Sequence, residues 1–234
     1  MEKQLASRIV ICASVILLVA GCGGAPAFTG TNSLAHQVGA GSALDSGGSP
    51  DVRIRLVPGD AVGLNTFPDG DTSSGGQGQT IDRLLACHGH MSEIFHIHVH
   101  LSIFDPTGTQ IMVPWGVGIV APYTFDKDND EIVTGTCFYN LHTHDRSGVI
   151  HDEAKTDLHL TLGNFFDVWG MPLSTTGVAG YSGTVWVKII TPGHNAPWSS
   201  TIDPRTILLT DREQITLSVG QKISPVPVYD LSRF

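Results

Sequence analysis

Of the eleven histidines in this 234-residue chain, eight fall between His88 and His151. Neutral imidazole is the commonest protein ligand for transition metals, so the first question is which of these rings can meet. Phe95–Phe104 (FHIHVHLSIF) alternates apolar and polar residues without a break. Successive side chains of an extended strand point to opposite faces. Phe95, Ile97, Val99, Leu101 and Ile103 therefore share a core face, and His96, His98, His100 and Ser102 share the other. Alternate residues lie about 6.5–7 Å apart along a strand. Two neighbouring imidazoles can converge on an ion at about 2 Å, whereas three in a row splay around it. The spacing predicts His98 acting with one neighbour, or two separate sites.

The second cluster is LHTHDRSGVIHDE, residues 141–153. Asp145-Arg146-Ser147-Gly148 reads as a reverse turn. With a loop of two or four residues, His144 faces Val149 and His142 faces His151. Directly opposed residues of an antiparallel ladder project to the same side, so His142, His144, His151 and Glu153 share a face. An HxH pair plus a third histidine across the ladder is the ligand set of three-histidine zinc sites; a three-residue loop would turn His151 away. Asp145, Asp152 and Glu153 are candidate acceptors for imidazole N–H groups, orienting the rings, and one of them could instead act as a general base. His88 and His90, in a loop-like HGH, are candidate extra ligands or part of a lid. His36, His159 and His194 stand alone and read as surface residues. The alternative for both clusters is a polar histidine ladder or a pH-sensing surface.

The elements that must position these rings are short. Candidate strands are Val52–Val57, Phe95–Phe104, Gln110–Pro114, Phe138–His144, Gly148–Asp152, Asp157–Thr161, Thr184–Ile190, Thr206–Leu209 and Gln214–Val219, with turn residues between them. One short helix is expected, Leu162–Trp169, capped by Thr161 and packing Phe165, Phe166 and Trp169 on the sheet. This pattern predicts a mainly β fold, an antiparallel sandwich or barrel with one short helix. Residues 71–80, rich in Gly, Ser and Gln, read as an exposed loop.

Domain organisation follows from composition. Lys3 and Arg8 precede an apolar run, Ile9–Ala20, too short for a comfortable membrane span, so residues 1–21 read as a secretory signal. Residues 22–50, rich in Gly, Ala, Ser and Thr, read as a flexible tether, and residues 51–234 as a histidine-rich β domain. Cys12 leaves with the signal. Cys87 and Cys137 most simply form a disulfide in an exported protein, the alternative being thiolate metal ligands. A formal net charge of −9, with 13 Lys plus Arg against 22 Asp plus Glu and no basic block, excludes an electrostatic footprint for nucleic acid. Charged residues at 15% exclude a coiled coil or a charge-rich disordered chain.

Leu18-Val19-Ala20-Gly21-Cys22 resembles the lipobox of bacterial lipoproteins, which implies lipidation of Cys22, a membrane anchor, and a place in the cell envelope facing the periplasm or exterior. The motifs FHIHVHL, LHTHDRSGVIHDE, TLGNFFDVWGMPL and DPRTILLTDREQITLSVG resemble a family of uncharacterised exported bacterial and archaeal proteins, from Cys87 to the C-terminus. That resemblance implies that both clusters and the two cysteines belong to one domain; it implies no reaction. Other patterns fit less well. Cys137 lacks the close following methionine of a blue-copper loop, and the glycine-arginine signature of Cu/Zn superoxide dismutases is missing. In HTHD the aspartate directly follows the histidine, unlike the metallo-β-lactamase motif. Asp126–Asp130 lacks the glycine and terminal acid of an EF-hand loop. The residues point to an exported zinc- or copper-binding protein for sequestration, delivery or sensing. Binding is favoured over a three-histidine metalloenzyme (a hydratase, hydrolase or dismutase-like activity) or a structural surface module.

Overall fold

The computed structural model describes residues 51–92, 94–128 and 130–234. The signal, Cys22, the tether and His36 lie outside the described residues. The strands are β1 (Val52–Arg55), β2 (Phe95–Phe104), β3 (Gln110–Ile111), β4 (Ile119–Val120), β5 (Thr124–Asp126), β6 (Glu131–Thr134), β7 (Cys137–Phe138), β8 (Leu141–His142) and β9 (Val149–Ala154). After helix α1 (Leu162–Trp169) come β10 (Leu173–Ser174), β11 (Gly177–Val178), β12 (Tyr181–Ser182), β13 (Val185–Thr191), β14 (His194–Asn195), β15 (Gln214–Val219) and β16 (Pro227–Asp230). Among the described residues the fold is mainly β with one α-helix. No helix among the described residues is long and apolar enough to cross a membrane.

The uninterrupted alternation of Phe95–Phe104 makes β2 the spine of the main sheet, ordered β14-β13-β15-β2-β9-β8, with β3 paired to the far end of β2. Val99, Leu101 and Ile103 are buried in the main core, and Ile97 packs against its edge. Helix α1 lies in that core, with Phe165, Phe166 and Trp169 fully buried. Each such side chain contributes about 1.5–3 kcal/mol through removal of apolar surface from water. The helix starts where expected. The Thr161 hydroxyl accepts from Asn164 N–H while Thr161 N–H donates to Asn164 Oδ1, and Gly170 in the left-handed region closes the last turn.

The expected mainly β fold with a short helix is present; among the described residues no barrel closes, and two pairings, β15 with β2 and β1 with β16, are parallel. Two strand expectations change. Phe138–His144 is not one strand: Cys137–Phe138 pairs with β4, in a register that Tyr139 N–H extends by donating to Gly118 O, whereas Leu141–His142 pairs with β9. Asp157–Thr161 and Thr206–Leu209 form no strands but meet through a single bridge, Thr161 to Leu208. The second begins in a 3₁₀ turn, Pro204–Thr206, which suits a proline.

Residues 71–80 are also more than an exposed loop. The final carbonyls of a helix lack intrahelical partners, and Thr72 N–H and Gly76 N–H donate to Trp169 O and Val168 O at 2.8 Å each. Glycine is needed there, because a Cβ on Gly75 would stand 2.6 Å from Val168 O and one on Gly76 would collide with the Tyr139 ring.

The face of β2 opposite the core has two different halves. Leu56, Val149, Tyr229 and Leu231 form a second apolar cluster. Beneath it, at the Ser102 end of the strand, His100 and Ser102 are buried. At the Phe95 end the face stays open at His96. A disulfide joins Cys87 to Cys137 with Cα atoms 5.5 Å apart and a sequence separation of 50. Closing a loop of that size contributes about 4 kcal/mol in the chain-entropy model.

Candidate metal centre

Strand register assembles the site. His98 pairs with His151 across β2 and β9, and His151 pairs with His142 across β9 and β8. Neighbouring strands are about 4.8 Å apart, so three imidazoles form a row across three strands on one face. In the next row His96 pairs with Glu153. His144 follows β8 and turns back toward the row, its ring centroid 4.8 Å from that of His142 and 4.5 Å from that of His151. The turn that makes this possible uses Asp145 as its organiser. Asp145 Oδ1 accepts from Ser147 N–H and Oγ–H, Oδ2 accepts from Gly59 N–H at 2.7 Å, and Gly148 takes φ +86°.

Two ligand groups result, each with its atoms within 4.8 Å of one another: His142, His144, His151 and Glu153, and His96, His98 and His151. The chain thus contains a three-histidine, one-glutamate cluster that could hold a metal ion. In this inner group backbone carbonyls set the ring tautomers. His142 Nδ1 donates to Tyr139 O at 2.9 Å and His144 Nδ1 donates to Ile132 O. A carbonyl oxygen only accepts, so each Nδ1 carries a proton, and in the neutral ring each Nε2 presents its lone pair. Those two Nε2 atoms face each other at 3.0 Å. Glu153 Oε1 lies 3.6 Å from His142 Nε2 and 3.6 Å from His151 Nδ1. Electron-rich atoms therefore converge on a common volume.

The electrostatics favour the ligand forms of His144, His151 and Glu153. Burial, then the His142 charge, pulls His144 down to about 4 against the Ile132 carbonyl. Burial also holds His151 well below its ordinary value. For Glu153 burial raises the carboxyl, but hydrogen bonds and charge from His142 and His151 outweigh it and hold it below the usual carboxylate range. Glu153 Oε2 is buried without a hydrogen-bond partner.

The outer group is looser. The His96 side chain is 32% exposed against 0% for His142. His96 Nε2 lies 3.3 Å from His151 Nδ1 and 3.2 Å from Glu153 Oε1. His98 has ring centroids 4.5 Å from His96 and 4.6 Å from His151. Burial, then the His96 charge, brings His98 to about 4 against Asp211 and Glu153.

Comparison with family models, with curated proteins and with solved structures finds no match to this chain. The site is therefore read from its own chemistry.

The structure brings together five of the six predicted histidine ligands and places the sixth elsewhere. His100 is 1% exposed and stacks on Tyr229 with centroids 3.9 Å apart, its Nε2 2.9 Å from Ser147 O and its Nδ1 3.4 Å from Ser102 Oγ. Asp145 is used by the turn and touches no imidazole. Asp152 points to the face of β9 away from Glu153; its buried Oδ1 has no hydrogen bond, and burial, then the Asp157 charge, raises it to about 7. His88 and His90 are exposed on the wall of a pocket of about 580 Å³ whose lining also includes His142 and Glu153. Of the isolated histidines, His159 is exposed beside Asp157 at 3.0 Å, and His194 is exposed in β14. Sequence reasoning missed Asp211, whose Oδ1 accepts from His98 N–H at 3.3 Å, and the Tyr139 and Ile132 carbonyls.

Proposed function

We propose that this protein is an exported, lipid-anchored metal-binding protein that holds zinc or copper at His142, His144, His151 and Glu153, for sequestration, delivery or sensing. The observation that carries the reading is the pair of facing Nε2 lone pairs 3.0 Å apart, each fixed by a carbonyl behind its ring. Only a cation between them relieves that arrangement. A proton would serve two of the atoms; a transition-metal ion also uses His151 and Glu153, completing the four-ligand shell that zinc prefers. Imidazole and carboxylate suit zinc and copper alike. The Cys87–Cys137 disulfide supports an oxidising compartment, and the lipobox-like sequence ending at Cys22 supports the anchor.

Metal analysis of protein purified without an affinity tag tests the reading, together with zinc and copper titration of the stripped protein. Tight binding in the wild type and its loss in His144→Ala are expected. A stripped protein with no measurable affinity for either ion at neutral pH overturns the reading and leaves a structural histidine ladder.

The pocket of about 580 Å³ beside His142 and Glu153 favours a second, catalytic reading, in which a small molecule reaches a metal-activated water and Glu153 handles its proton. Turnover of a small ester or of carbon dioxide by zinc-loaded protein, beyond that of free zinc, would select it; full metal content without turnover would select binding.

A further inference from the structure

The geometry points to a dinuclear centre: a second ion at His96 and His98, with His151 and Glu153 lying between it and the ion of the inner group. This rests on the metal-binding reading above and extends it. Ligand nitrogens bind zinc or copper at about 2 Å, so the atoms around one ion lie within about 4 Å of each other. Among the described residues, the histidines and Glu153 instead sort into two sets with one common member, His151. One ion cannot collect both sets, yet neither set is far from the other.

Three observations place the shared residues in the middle. In the cross-strand row His98–His151–His142, His151 is central, flanked on β2 by a member of the outer set and on β8 by a member of the inner set. Its Nδ1 is 3.3 Å from His96 Nε2 and 3.6 Å from Glu153 Oε1, so this nitrogen stands at the border of the two sets. Glu153 reaches both sides through one oxygen, with Oε1 3.2 Å from His96 Nε2 and 3.6 Å from His142 Nε2.

The other carboxylate oxygen supplies an independent reason. Glu153 Oε2 is buried and has no hydrogen bond. Nothing among the described residues donates to it; a buried acceptor left unpaired is costly and uncommon in native structures, and cations held at the carboxylate offset that cost. Charge runs the same way, because Glu153 lies between the two positions and Asp211 stands behind His98 on the outer side. Two cations at this spacing repel, and an anionic bridge is what lets them coexist.

The test is stoichiometry and coupling in the stripped, disulfide-intact protein, reloaded with zinc and separately with copper(II). Two zinc ions per chain are expected, falling to one in His98→Ala and in His96→Ala, both at the more exposed end and chosen to preserve the fold. With two copper(II) ions per chain, the integrated electron paramagnetic resonance intensity should fall well below that of two isolated ions. His98→Ala should restore one full, isolated signal. A single tightly held ion in the wild type, unaffected by His98→Ala, overturns the dinuclear centre while leaving the inner site intact. No ion at all overturns the metal-binding reading itself. Two ions with full, uncoupled signals overturn the bridge through Glu153.

Discussion

The inner and outer halves of the histidine face use the same residue type in different ways. His142 and His144 have carbonyls behind their rings and little or no exposure, so each presents a set nitrogen. His96 is one-third exposed, and among the described residues its ring nitrogen meets His151 and Glu153. The inner half is preorganised by the fold; the outer half is organised mainly by what it binds. Burial and backbone acceptors, more than the count of histidines, separate a ligand held in place from one that moves into place.

The largest effect should come from the disulfide, which joins the segment leading to His88 to the strand before Tyr139. Replacing Cys87→Ser together with Cys137→Ser should destabilise the protein by about 4 kcal/mol in denaturant unfolding. It should also weaken inner-site zinc affinity roughly tenfold through the loosened Tyr139 carbonyl, and outer-site affinity less. Equal weakening of both would erase the distinction between the halves.

Next comes His142→Ala. Losing a fully buried ring and leaving Tyr139 O unpaired should cost about 2–4 kcal/mol in the metal-free protein. His96→Ala should stay within about 0.5 kcal/mol. Similar unfolding midpoints for the two variants would break the comparison.

His100→Ala sharpens it from the covered end of the same strand. The lost stacking on Tyr229 and the orphaned Ser147 carbonyl should cost about 2 kcal/mol, with metal stoichiometry unchanged. A lost ion would return His100 to the site.

The smallest effect concerns pH. Asp71 supports the inner half by accepting from Gly118 N–H at 2.7 Å, and a Cβ on Gly118 would lie 3.1 Å from His142 Cβ. Burial raises Asp71 from 3.8 to about 6 against hydrogen bonds from Gly118 and Gln77. A folded-state pKa above the unfolded one contributes stability that is full below about pH 4 and lost as pH rises through about 6. Because Asp71 keeps some exposure to solvent, about 1 kcal/mol of pH-dependent stability is expected after solvent screening. Asp71→Asn should flatten the unfolding profile over that window.

Much of this was legible in the residues. Alternation separated the core face of Phe95–Phe104 from its histidine face, the Asp145–Gly148 turn predicted the pairing of His142 with His151, and Thr161 marked the start of the helix. What could not be read was non-local. Nothing in either motif says that β2 lies beside β9, the fact that brings His98 to His151 and joins the clusters. The carbonyls of Tyr139 and Ile132 have no residue-type signature, because every residue carries one. His100 has the same alternation as His96 and His98, and only β16, more than a hundred residues later, decides that it is covered. Asp145 was misjudged for a local reason: a turn aspartate two residues before a serine has backbone partners closer than any ring.

The Cys87–Cys137 bridge also sets an order of events. It closes two residues before Tyr139, whose carbonyl aims His142, so a chain with two free thiols has the histidines without the brace that aligns one of them. Thiols stay reduced in the cytosol and oxidise only outside it. On the proposed reading, a nascent chain therefore passes through the cell's own metal pool as a weak competitor and becomes a strong one after export. On that reading oxidation comes first and loading second.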